Sequence, residues 1–467
     1  VQRGPVGIAA AVGKNQHFVS QLQELTGADI FSSTAVINRD QLAVDNRHDN
    51  QRLLSEIIAP KTLNEWNGSL GWSRINSDID GTNTSGRFGS AVSISNDGKR
   101  IAVGESGESK ITVYENTNGS WQQLGSPING QGYNKSIALS GNGNRLAVEI
   151  SNTVRTYEYI DGSWNLIGTL NGSGYANTGF GRSLSWSADG SVLAIAAPQD
   201  RYYYSWRYRT PGNVYAYQYS GGSWSQLGDT IEGRFHVNGG SIGDFGNAIE
   251  LSDDGQNLVI AARCSSGDYQ NCTNSELIIY EFSGGSWGQV GSDISAGKSN
   301  ATSVAISGDG SRIAHASAAE LTDRLYVKDF NGTSWTTTVE INSTDLRQSN
   351  GIGRDAIWKL GSSLSFNFDG TRLAASAPTT REYSFMGKVF VLDIDSSGNW
   401  SIVDSRITAD SAGTGDNFGS SCQLTSDGNF LAVGASHADL TNDEAGFARV
   451  YSLRPIYSTA ATSTDGT

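Results

Sequence analysis

The chain of 467 residues contains one methionine, three cysteines and seven prolines, and its 33 lysines and arginines face 47 aspartates and glutamates, for a net charge of −14. So little positive charge argues against a nucleic-acid partner. No apolar run approaches the roughly eighteen residues of a membrane-spanning helix. Catalytic signatures are missing as well. His17, His48, His236, His315 and His437 fall in unlike contexts, with no His-Glu-Xaa-Xaa-His, no Cys-Xaa-Xaa-Cys and no phosphate-binding glycine loop, so each is read as surface or filler. No Gly-Xaa-Ser-Xaa-Gly elbow joins a strand to a helix, and the Asp-box of sialidases has no match. The expectation is a protein that is not an enzyme.

The three cysteines divide unevenly. Cys264 and Cys272 bracket one loop, RCSSGDYQNCT, and Cys422 stands alone in an inner strand. A small loop disulfide beside a buried thiol is expected, which favours an extracellular or cell-surface location; reduced thiols in a cytosolic protein are the alternative. The sequence opens at Val1 without Met or a signal-peptide pattern, as a processed product or a fragment of a longer precursor would. Asn-Xaa-Ser/Thr triplets, as at Asn118 and Asn331, are about as frequent as chance gives in a chain so rich in these residues.

What the chain has in plenty is repetition. YSGGSWSQLGDTI, from Tyr219 to Ile231, returns as FSGGSWGQVGSDI from Phe282 to Ile294, and related Trp hairpins occur at Trp121, Trp164, Trp335 and Trp400. Each is preceded by a turn of the Ser-Xaa-Asp-Gly type, at Asp97, Asn142, Asp189, Asp254, Asp309 and Asp369, with a seventh at Asp427. A short apolar run follows every turn: RIAVG, RLAVE, VLAIA, NLVIA, RIAHA, RLAAS, FLAVG. The spacing ranges from 45 residues between Asp97 and Asn142 to 65 between Asp189 and Asp254. Period-2 runs bounded by Gly, Asn, Asp and Ser are strands joined by hairpins. Four strands per repeat with loop insertions predict propeller blades.

The predicted fold is therefore all-β, a seven-bladed β-propeller of four-stranded antiparallel blades over residues 61–455. The seventh unit lacks its tryptophan, and GSLGWSRINSDI around Trp72 has no turn of its own, so an N-terminal strand is expected to close the ring. Residues 1–60 form a separate, partly helical extension, with apolar spacing at Phe18, Leu22 and Leu25, suited to attachment or assembly. Residues 456–467 are a Ser/Thr-rich tail. The repeated tryptophans are read as packing between blades.

Phe-Gly pairs at Phe88, Phe180, Phe245 and Phe418, preceded by GD at Asp244 and GDN at Asp416, resemble the FG-GAP repeats of extracellular adhesion propellers. That family's calcium loop is missing, since SNDG, SADG and SDDG are two-residue hairpins too short to wrap a cation. Asp-Gly followed by RLAV also looks like WD40 and TolB-type blades, although no Gly-His or Trp-Asp pair occurs. LTGADIFSS, near the N-terminus, resembles a segment of very large secreted proteins of cyanobacteria and marine bacteria.

Function is expected on the loops between second and third strands, which vary while the opposite face is monotonous. The loop DRYYYSWRYR places Arg201, Arg207 and Arg209 among Tyr202, Tyr203, Tyr204, Trp206 and Tyr208, a composition typical of contact surfaces. Packing of these rings on the neighbouring blade is the plainer reading. No cofactor is expected; calcium at Asp439, Asn442, Asp443 and Glu444 is the alternative to a solvated acidic loop, and Asp78 and Asp80 raise the same choice. The sequence favours a non-catalytic surface propeller for adhesion or assembly, with a protein, a glycan or an identical subunit as partner. A lectin using the variable face comes second, a glycosidase-like enzyme third.

Overall fold

The computed structural model describes residues 69–130, 136–172, 179–198, 212–233, 244–262, 275–296, 303–318, 323–343, 359–378, 387–394, 398–408, 416–437 and 445–456. Seven antiparallel sheets, each built on a path of four neighbouring strands, form the blades of a propeller. Blade one is Phe88–Ile94, Arg100–Glu105, Lys110–Thr117 and Ser120–Gln123, and blades two to six follow in chain order, with first strands beginning at Ile137, Leu184, Phe245, Val304 and Leu364. Blade seven mixes the two ends of the chain: Phe418–Leu424, Phe430–Ala435 and Phe447–Ile456 are flanked by Ser69–Arg74. The N-terminal strand closes the ring as the unit count required. Residues 74–450 belong to one compact unit; the described residues 69–73 and 451–456 belong to another, in which Trp72 is buried.

Within the larger unit the closure is explicit. Ile79 pairs with Ala448 and Asp80 with Phe447, the Ile75 N–H donates to the Val450 carbonyl at 2.9 Å, and that of Gly81 to Gly446 at 2.9 Å. Asp78 is an ion-pair partner: Arg449 grips it in a bidentate pair at 2.7 and 2.8 Å, with Arg74 at 3.3 Å.

The Ser-Xaa-Asp-Gly turn is a self-contained clasp. Ser95 Oγ donates to Asp97 Oδ1 at 2.7 Å and accepts the Arg100 N–H at 2.9 Å, while Asp97 Oδ1 accepts the Lys99 N–H at 3.0 Å. The same three bonds recur at Ser187 and Asp189, at Ser252 and Asp254, and at Ser307 and Asp309. Burial pushes the Asp189 carboxyl up, but the bonds from Ser187 and Ser191 and the charge of Arg145 outweigh it and hold the group below its ordinary range. Gly at the last position takes φ near +70°, which a side chain would oppose.

Phe-Gly marks the entry to the first strand. Phe88, Phe180, Phe245 and Phe418 are fully or nearly fully buried, each preceded by a residue at positive φ and followed by a positive-φ glycine. In blades one, four and seven a β-bulge follows, between Phe88 and Ala91, Phe245 and Ala248, and Phe418 and Ser421. Leu360-Gly361 is a fifth copy with Leu replacing Phe. A Cβ on Gly89 would lie 2.2 Å from the Phe447 carbonyl oxygen, so the pair is demanded by the backbone.

Blades pack through apolar faces such as Ala102, Ile111 and Val113 against Leu139, Leu146 and Val148. The tryptophans lie half-buried along these seams, and several also hydrogen-bond across them: Trp164 Nε1 donates to Leu124 O and Trp287 Nε1 to Leu227 O, both at 2.9 Å. Trp224 differs in using a side chain, Thr156 Oγ1, at 2.9 Å. Thr156→Val should leave this indole without an acceptor and cost about 1–3 kcal/mol. A denaturant midpoint equal to that of the wild type would contradict the bond.

Arginines at the start of second strands tie neighbouring turns together. Arg145 pairs with Glu158 at 3.0 Å, donates to the Gly190 carbonyl of blade three at 2.7 Å and lies 4.5 Å over the Tyr219 ring. Arg100, Arg312 and Arg372 make the corresponding bonds to Gly143, Gly370 and Gly428. His315 is a filler of another kind, buried in blade five and stacked on Tyr326 at 4.9 Å, where other second strands carry Val, Ile or Ala.

Candidate functional site

The seven first strands surround the centre of the ring, and each presents an unpaired edge there. Such buried N–H groups need acceptors. Two residues before each turn's first residue stand Ser93, Ala138, Ser185, Glu250, Ala305, Ser365 and Gln423. Five of these seven reach the following blade. Ser93 Oγ accepts the Leu139 N–H at 2.9 Å, Ser185 Oγ that of Leu251 at 2.9 Å, and Glu250 Oε2 that of Ile306 at 3.1 Å. Ser365 Oγ accepts from Leu424 at 3.0 Å and Gln423 Oε1 from Ile94 at 2.9 Å, the last of these joining blade seven to blade one. Ala138 has no side-chain acceptor; its carbonyl instead takes the Trp186 indole N–H at 3.0 Å. One pleat away a second tier repeats the device through Ser183, Ser303, Ser363 and Ser421.

These strands enclose a cavity of about 220 Å³, bounded at the Asp-Gly end by Asn96, Gly141, Ala188, Asp253, Gly308 and Ser426. Backbone bonds join this rim from blade to blade, as from Asn96 N to Gly141 O at 2.7 Å and from Asp253 N to Gly308 O at 3.0 Å. Asp253 accepts a hydrogen bond from Ser426 Oγ, three blades further round.

Three titratable groups line the cavity. Burial, reinforced by the charge of Asp253 and opposed by the Ile306 N–H, pushes Glu250 up to about 8, so it is protonated at neutral pH. Burial also raises Asp253, against the bond from Ser426. Cys422 is pushed up to about 12, mainly by burial, and its Sγ lies 3.6 Å from the Ser363 carbonyl; a thiol so far from ionising is not a nucleophile. It is the buried free thiol expected from the sequence.

The sequence-predicted contact residues Arg201, Tyr202, Tyr203, Tyr204, Trp206, Arg207, Tyr208 and Arg209 lie outside the described residues, between Pro198 and Gly212 of blade three. So do Asp439, Asn442, Asp443 and Glu444, the pair Cys264 and Cys272, and the extension 1–60. The channel residues were missed by sequence reasoning, though a signal existed: aligned on their turns, the first strands set one Glu among Ser, Ala and Gln.

No family model matches the chain, and no curated protein matches it. Among solved structures 1086 chains match. Hydrazine synthase of Kuenenia stuttgartiensis is 13% identical with a TM-score of 0.51, over 83% of this chain and 98% of its own. The WD40 repeats of RRP9 are 12% identical with a TM-score of 0.53, over 82% of this chain and 100% of theirs. At such identity the likeness is one of fold, and the fold is the β-propeller.

Proposed function

We propose that the chain is a non-catalytic extracellular or cell-surface propeller that serves adhesion or a surface assembly, with its contacts on the second-to-third-strand loops. The observation that carries this reading is the use to which the recurrent polar residues are put. The turn aspartates close their own hairpins, the arginines clasp neighbouring turns, and Glu250 bonds a backbone N–H just as Ser and Gln do at equivalent positions. A general acid would suit a carboxyl near neutral pKa, but a group held in a ring of structural acceptors is poorly placed to transfer its proton.

In an antiparallel meander the second-to-third-strand loops emerge opposite the Asp-Gly turns, and they differ in length and composition while the scaffold repeats. The arginine-aromatic loop in blade three suits an acidic partner, a sulfated or uronic-acid glycan or an acidic face of an identical subunit. Replacing Arg201, Tyr204, Trp206 and Arg207 together by Ala should abolish retention on immobilised heparin and any self-association, and leave the circular-dichroism melt unchanged. Retention and association equal to those of the wild type would refute the loop's role.

A further inference from the structure

We propose that the Asp-Gly mouth of the channel is a second binding site, one that takes a neutral saccharide residue. It does not depend on the loop face, which lies at the other end of the blades. The rim position following each turn's first residue is Asn, Gly, Ala, Asp, Gly and Ser in six blades, and Phe368 in blade six. Phe368 is 45% exposed, one of three large apolar side chains so exposed among the described residues. Ile160 and Leu166, the other two, belong to the outer strands of blade two. A phenyl ring left in solvent beside a polar cavity is an unusual use of apolar surface.

Gly308 shows what lies beside the ring. A Cβ there would meet Phe368 Cδ2 at 2.6 Å and the carboxyl carbon of Asp253 at 2.8 Å, so ring and carboxylate converge over the same glycine. Asp253 Oδ2 engages Ser426, and Oδ1 has no hydrogen-bond partner among the described residues. Across the rim the Asn96 amide nitrogen lies over Gly141, 2.6 Å from where a Cβ would be. Below, Ser93, Ser185 and Ser365 have committed their oxygens as acceptors, which leaves their hydroxyl protons to donate into the cavity.

A sugar residue matches this set. Its C–H face stacks on a phenyl ring, and its hydroxyls donate to a carboxylate and accept from amides and hydroxyls. The cavity of about 220 Å³ admits an object of that size. No Lys, Arg or His is among the residues lining it, and Asp253 stands at its rim, so a neutral sugar is favoured over an acidic one.

The test is saturation-transfer NMR on the full chain with D-glucose, D-galactose, D-mannose, L-fucose and N-acetyl-D-glucosamine. At least one should show saturable transfer in the millimolar range. Phe368→Ala and Asp253→Asn should each weaken it about tenfold or more, whereas Phe368→Tyr and the four-residue loop variant should retain it. Should Asp253→Asn disturb the melt, the Ala and Tyr variants of Phe368 decide. Absence of saturable transfer for all five sugars, or binding indifferent to Phe368→Ala, overturns the site.

Discussion

Asp78→Ala should be the most damaging single substitution in the ring closure, lowering stability by about 3–5 kcal/mol. The carboxylate is held at 2.7 and 2.8 Å by Arg449, and both side chains are shielded from solvent. Removing the anion leaves a buried guanidinium that keeps the Thr408 carbonyl and the Phe447 ring but loses its bidentate ion pair, and the desolvation that this pair no longer offsets dominates the cost. Asp78→Asn together with Arg449→Met should recover part of the loss, because taking away both charges removes the unmatched one. Urea denaturation of the single and double variants measures the difference. A single-variant loss below about 1 kcal/mol would mean that the pair behaves as a surface bridge does.

The second large effect is on pH dependence. Glu250 sits at about 8 in the folded chain against an ordinary 4.5, so its contribution is complete below pH 4.5 and is lost as pH rises to 8. His315 sits at about 3 against 6.5, chiefly through burial with Lys328 adding to it, so its contribution is complete above pH 6.5 and is lost as pH falls to 3. Each slope is about 1.4 kcal/mol per pH unit. The two cancel between pH 4.5 and 6.5, which predicts a plateau with declining stability on both sides. Glu250→Gln keeps the acceptor for Ile306, as Gln423 does for Ile94, and removes the alkaline arm. Its advantage over the wild type should therefore grow by about 3–5 kcal/mol from pH 4.5 to 8. Parallel alkaline arms in the two proteins would show that Glu250 is not the titrating group.

How much of this was legible depended on the range of the interaction. The Ser-Xaa-Asp-Gly clasp and the Trp hairpin are local, and their turn chemistry is written in four consecutive residues, so the blade count and the closing strand at Trp72 followed. Phe-Gly was visible as a motif, but Leu360-Gly361 escaped because the wedge there is Leu. Arg145 reads only as the head of an apolar run, since its partner carbonyl on Gly190 is 45 residues away. Glu250 escaped for the same reason: its significance lies in a column that crosses seven repeats of unequal length. Of the loop carrying Arg201 to Arg209, the described strands fix only the two points of departure, Pro198 and Gly212.

Nine bonds between first strands run the same way round, from a peptide N–H of one blade to a side-chain oxygen of the blade before it. The donor half is common to every residue except proline, so it asks nothing of the sequence that follows. For these nine bonds a blade carries the side-chain half of its forward attachment within itself; Trp186, which reaches back to the Ala138 carbonyl, is an exception. Copying a blade, losing one, or exchanging two would keep these attachments without a matching change next door, as would opening the circle at a different seam. A ring joined in this manner can diverge blade by blade, which is how Gln, Glu, Ser and Ala come to occupy a single column in the same chain.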